Sequence, residues 1–215
     1  IHKKTLEIQL RVIGGDDPAT LYSLTNLAIA LYSQGKLVDA ERMFVDALDG
    51  LRRVSGPDHV DTVKVMGNLA VLLGDNGELN QAEHLLQERL AVLRRVVGGE
   101  HPETLVTLIN LAHVLTQRGA FAQTARLLEE TLEVEKRTLG SEHPYTLVTM
   151  TNLASALGEM GRFEEAEPLG NRAWEGLQAV LGREHPYTLE AMQSRVQLLV
   201  QADRLEDAKP LASEL

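Results

Sequence analysis

The chain has 215 residues, of which 44% are hydrophobic but only 4% aromatic, and it carries a formal net charge of −10. The acidic balance argues against nucleic acid and against an anionic membrane face as partners, since both are bound through Lys and Arg. With no cysteine there is no disulfide framework, thiolate metal site or thiol nucleophile. No apolar run approaches the ~18 residues that span a bilayer. A composition rich in Leu and Ala and poor in aromatics favours helix over strand, so the expected class is all-α.

In chain order, residues 1–14 read as the second helix of a repeat whose first helix is missing. Ile1-His2-Lys3-Lys4-Thr5 lacks the apolar core of a signal peptide, and a cytoplasmic location fits. From there a fixed step governs the sequence. Asn-Leu-Ala occurs at Asn26, Asn68, Asn110 and Asn152, each 42 residues after the last. The same step links Gly35, Gly77, Gly119 and Gly161, then Gly14, Gly56, Gly98, Gly140 and Gly182, and then Thr20, Thr62, Thr104, Thr146 and Thr188. Such a period marks a repeat architecture. The repeats span 15–56, 57–98, 99–140 and 141–182, with an incomplete last one at 183–215, all in one array.

Each period predicts two helices. In the third, Leu105, Leu108, Leu111, Ala112 and Leu115 keep the i, i+3, i+4 spacing of a buried stripe. Pro102 suits a first turn and Gly119 a helix end. A second stripe runs through Leu127, Leu128, Leu132 and Leu139 to Gly140. Arg52-Arg53, Arg94-Arg95 and Lys136-Arg137 fall near the ends of second helices, where cations offset the carbonyl dipole, so they read as structural. Eleven helices follow, the first and last incomplete. No pair buries its stripes alone, so the pairs must stack. Neither end carries a polar cap, which reads the chain as a segment of a longer protein.

Ala28 and Ala40 are twelve apart, as are Ala70 and Ala82, and Ala154 and Ala166. With Leu24, Leu27, Leu31, Phe44 and Ala47 around it, this small-residue spacing resembles the tetratricopeptide motif. The 42-residue unit, with Asn-Leu-Ala and then Gly-Arg-Phe-Glu-Glu-Ala-Glu at 161–167, is similar to the kinesin light chain subclass, which also occurs in the tails of signal-transducing ATPases with numerous domains. The resemblance implies a right-handed superhelical solenoid of antiparallel helix pairs that binds proteins and is not an enzyme. Thr25, Gly67, Ile109 or Thr151 precedes Asn-Leu-Ala where kinesin light chains often double the Asn. His-Pro-x-Thr-Leu at 101–105, 143–147 and 185–189 looks more like the ATPase tails. Thr124 stands where Ala is expected, Arg195 in a core Leu place and Asp203 in a turn Gly place.

The resemblance also implies that first helices line a concave groove. Residues two places from a core position point about 200° away, which sends Asn26, Asn68, Asn110 and Asn152 toward that groove. A carboxamide can hold a peptide backbone or bond a neighbouring repeat, and both readings stand. The same reasoning lines the groove with Tyr22, Ile29, Tyr32, Lys64, Val71, Val106, Ile109, His113, Val148, Thr151 and Ser155. Only Lys64 and His113 could meet a carboxylate, so no carboxylate clamp is expected. His59, His101, His143 and His185 share one repeat place. Side chains repeated about 10 Å apart cannot converge on one ion at ~2 Å, so they are assigned to the turn before each first helix. Thr20 and its equivalents are expected to bond the local backbone, and Trp174 to pack within the repeats. No P-loop, catalytic relay or cofactor motif is present. The expected function is a scaffold binding a peptide or partner segment. The alternatives are a sensing or autoinhibitory segment of a signalling ATPase, and weak self-association through exposed end helices.

Overall fold

The computed structural model describes residues 8, 9 and 11–214. Residues 8, 9, 11 and 12 are helical. Of the helix expected over 1–14, residues 13 and 14 are not helical, and residues 1–7 and 10 lie outside the described residues. The helices after it are α1 (Pro18–Tyr32), α2 (Leu37–Val54), α3 (Val60–Asp75), α4 (Leu79–Val96), α5 (Pro102–Gln117), α6 (Phe121–Thr138), α7 (Pro144–Glu159), α8 (Phe163–Leu181), α9 (Pro186–Gln201) and α10 (Leu205–Ala212). Among the described residues there is no strand. The chain divides into two compact units, residues 1–114 and 115–215.

First helices are α1, α3, α5, α7 and α9, and each begins on a side-chain cap. Asp17 Oδ1 accepts the Ala19 N–H at 2.8 Å ahead of α1. Ahead of the others the cap is histidine. Nδ1 of His59, His101, His143 and His185 accepts the N–H two residues on, at 3.2–3.3 Å. One orphan donor of each first turn is thereby satisfied. Thr62, Thr104 and Thr146 donate to the carbonyls of Gly56, Gly98 and Gly140 at 2.8–2.9 Å, as expected of that position. Thr20 and Thr188 depart from it, since both hydroxyls are buried without a partner.

Second helices start without a side-chain cap, at Lys36, Glu78, Ala120 and Arg162, and are held by their apolar faces instead. The tight turn before each uses Gly35, Gly77, Gly119 or Gly161 at φ of +72° to +81°. Asp203 takes that turn in the last repeat at φ +58°, where a side chain costs roughly 1–2 kcal/mol more than glycine. The basic pairs are structural in two repeats. Arg53 reaches Asp16 at 2.6 Å and Arg95 pairs with Asp58, tying the end of a second helix to the turn before the first helix of its own repeat.

In residues 1–114, α1 packs on α2 and α3, and α3 on α2 and α4. In residues 115–215, α7 packs on α6, α8 and α9, and α9 on α8 and α10. Ala28, Ala40, Ala70, Ala82, Ala154 and Ala166 are fully buried, because helices approach closely only where side chains are small. Thr124 is buried in its Ala place and returns its hydroxyl to the Ala120 carbonyl at 3.2 Å.

Candidate functional site

The first helices carry the residues expected to line a groove. In residues 1–114, Asn26, Asn68 and Asn110 lie at one register on α1, α3 and α5, each half-buried. Asn152 on α7 holds the same register in residues 115–215 and is also half-buried. No hydrogen bond joins the side chain of any of the four to another described residue. Neighbouring hydroxyls are spent locally: Thr25 donates to the Leu21 carbonyl at 3.0 Å and Thr151 to that of Leu147 at 3.1 Å. Among the described residues, none of these carboxamides bonds a neighbouring repeat.

Around these three rungs in residues 1–114, Tyr22, Ile29, Val71 and Val106 expose 38–65% of their surface. Lys64 and His113 are exposed and Ile109 half-buried. Tyr32 donates to Asp75, and that bond, then burial, holds the Tyr32 hydroxyl above its usual pKa. The bond also joins the C-terminal ends of α1 and α3. On α7, Val148 and Ser155 are half-buried, and Ser155 Oγ lies 2.6 Å from Ser194 Oγ. Ser194 holds the Asn register on α9, so that rung is satisfied within the chain. Thr151 corrects the expectation. It is 4% exposed with its hydroxyl turned into its own helix, whereas Thr25 and Ile109 in the same repeat place are half-buried.

Two buried charges escaped the sequence reading. Arg89 on α4, 4% exposed, donates from Nε to the Val63 carbonyl at 3.0 Å, from Nη1 to Thr107 at 2.5 Å and from Nη2 to Glu103 at 2.5 Å. Gly67 makes the room, since a Cβ there would lie 3.0 Å from the guanidinium. Burial lowers the Arg89 pKa while Glu103 raises it. Glu135 on α6 is 1% exposed in the place that Leu51, Leu93 and Leu177 hold in other repeats. Its Oε2 has no partner. Burial pushes the carboxyl up to about 7, with the Thr149 hydroxyl pulling the other way. Aligning the repeats sets Glu135 in a column of leucines and Arg89 in a column of small residues, Ala47, Thr131 and Ala173, which was the available signal.

The histidines are consumed as caps, and among the described residues no three His, Asp or Glu converge as a metal site. Trp174 packs beneath the Arg195 guanidinium, 4.8 Å from the ring centroid. Among the described residues no helix is long and apolar enough to cross a membrane.

Tetratricopeptide repeat models match residues 20–61, 61–134 and 103–179. The chain belongs to the tetratricopeptide repeat family. Its fold is similar to that of a Podosopora anserina protein described as a kinesin light chain with nearly identical TPR-like repeats, at TM-score 0.77 and 24% identity over 92% of this chain and 93% of that one. BtubC (BKLC) from P. vanneervenii gives 0.77 and 18% over 99% and 86%. A Rap protein complexed with Competence and Sporulation Factor gives 0.71 and 12% over 90% and 52%. No curated protein sequence matches the chain. At these identities the likeness establishes the fold of the tetratricopeptide repeats, and the site is argued from the side chains above.

Proposed function

We propose that the chain is a protein-interaction scaffold whose first helices hold an extended peptide, or an extended segment of a partner, by its backbone. The reading rests on one observation. Asn26, Asn68, Asn110 and Asn152 recur once per repeat, half-buried and without a hydrogen bond to another described residue. A carboxamide offers two donors and one acceptor, the complement of a peptide unit. A half-desolvated polar group gains most from a ligand when the chain itself leaves it unsatisfied. Neighbouring helices lie about 10 Å apart, close to three residues of extended chain at about 3.3 Å each. In residues 1–114, successive rungs therefore meet backbone units about three residues apart. Tyr22, Ile29, Val71 and Val106 give the ligand side chains apolar surface between the rungs. A Rap protein of similar fold has been crystallised with Competence and Sporulation Factor, which supports the use of such a fold to bind a partner.

A display screen of random peptides against the whole chain, with Asn68→Ala/Asn110→Ala as control, tests the reading. Enriched peptides should be lost in the control while its thermal unfolding stays unchanged. Enrichment that survives in the control contradicts backbone recognition by these rungs.

A further inference from the structure

Residues 115–215 hold a cavity whose lining includes none of the groove residues. It lies between α8 and α9, with a volume of about 300 Å³. Trp174 and Gln178 line it from α8, and Thr188, Leu189 and Met192 from α9. Arg183 and Glu214, joined in an exposed ion pair, complete the lining. Two of these places break the repeat. Trp174 stands where Leu48, Leu90 and Leu132 stand, and Gln178 where Arg52, Arg94 and Lys136 supply a cation.

A third place keeps its residue and loses its bond. Thr62, Thr104 and Thr146 donate to the glycine carbonyl six residues back. Ahead of Thr188, α8 runs to Leu181, one residue past the places where α2, α4 and α6 end. The Thr188 hydroxyl, in a residue 2% exposed, bonds no other described residue. Gln178 Oε1 is also buried and also bonds no other described residue. The hydroxyl alone marks no site, because Thr20 lacks the bond as well. What sets this cavity apart is that two such groups, from two helices, line it together. A buried polar group left unpaired is costly, so both gain from a ligand that reaches them.

We propose that this cavity binds a small, neutral aromatic alcohol, its ring against Trp174 and Met192 and its hydroxyl on Gln178 and Thr188. Neutrality follows from the lining. Gln178 and Thr188 carry no charge, and Arg183 and Glu214 neutralise each other, so an ion would enter without a counter-charge. A hydroxyl both donates and accepts, so it can satisfy a carboxamide and another hydroxyl in either orientation. A flat ring suits an indole and a thioether. The indole is held in place by Arg195, whose guanidinium lies 4.8 Å from the ring centroid. A few convergent polar groups in an otherwise apolar cavity of this size are the usual make-up of a small-molecule site. The ligand is distinct from the peptide on the Asn-bearing face.

Trp174 is the single tryptophan of the chain, so its emission reports on the cavity. Titrating the whole chain with phenol, with excitation above the phenol band, tests the proposal. A saturable change is expected at millimolar phenol. Toluene, which has the same shape without the hydroxyl, should bind about tenfold more weakly. Thr188→Val and Gln178→Leu should each weaken phenol binding about tenfold. Thr188→Val should leave the melting temperature unchanged or raised, since the hydroxyl it removes bonds no other described residue. Linear quenching without saturation, equal binding of toluene, or native phenol affinity in either variant overturns the proposal. So does a lower melting temperature in Thr188→Val, which would place the hydroxyl in a bond within the chain. Tighter binding of acetyl-tyrosine amide than of phenol also overturns it, by assigning the cavity to a partner's side chain.

Discussion

Among the described residues, each unit buries one ionisable side chain of a second helix, and the two are treated in opposite ways. Arg89 in residues 1–114 has three donors placed on three partners from two neighbouring helices, and its charge is kept by Glu103. Glu135 in residues 115–215 is as deeply buried, yet its Oε2 is unpartnered and its carboxyl titrates near 7. A buried charge is stable when the surrounding helices are built to receive it, as Gly67, Thr107 and Glu103 are. Without that supporting set the protein responds by shifting the protonation equilibrium.

The largest effect should come from breaking the satisfied site. Arg89→Ala takes the donor from the Val63 carbonyl, Thr107 and Glu103 and leaves a cavity in its buried place, at a cost of about 4 kcal/mol, read by chemical denaturation. Glu135→Leu should act with the opposite sign. A carboxyl whose native value lies above its ordinary 4.5 is held protonated by the fold. Stability is therefore full below pH 4.5, falls as pH rises toward about 7, and stays lowered above. Leucine should add about 3 kcal/mol at pH 8 and almost nothing from this source at pH 4. Stability curves of the two proteins against pH check both the size and the slope. Gly67→Ala sharpens the contrast further. A Cβ pressed against a guanidinium held by three bonds should cost about 2 kcal/mol in the native chain, and far less in the Arg89→Ala background, where the space is open. The smallest effect belongs to the turns. His101→Ala should lose about 1 kcal/mol, and His101→Asn should keep it, because either side chain accepts the N–H two residues on.

These residues also mark how far the sequence could be read. The helix pairs were legible because Asn-Leu-Ala, the turn glycines and the Ala28–Ala40 spacing are local signals repeated at a fixed step. The histidines were legible as turn residues, but their use as acceptor caps was not, since a ring nitrogen's partner depends on backbone placement. Arg89 and Glu135 drew no reading from the sequence, since a charged residue on a helix is more often outside. Their burial follows from the register of α4 and α6 against their neighbours. The Asn register could be assigned, whereas which partner each carboxamide meets depends on side-chain placement that a repeat pattern does not encode. Thr151 was misjudged at one edge of that face, where a 100° step per residue separates exposed from buried.

The central claim is that the Asn rungs hold a ligand by its backbone, and calorimetry on one selected peptide tests it most directly. The measurement compares the peptide with a copy N-methylated at alternate amides, against the native chain and Asn68→Ala/Asn110→Ala. The account predicts that methylation and the double substitution each weaken binding at least about tenfold, as loss of two hydrogen bonds would, and that applying both adds little. Native affinity for the methylated peptide, or full affinity in the folded double variant, would contradict it.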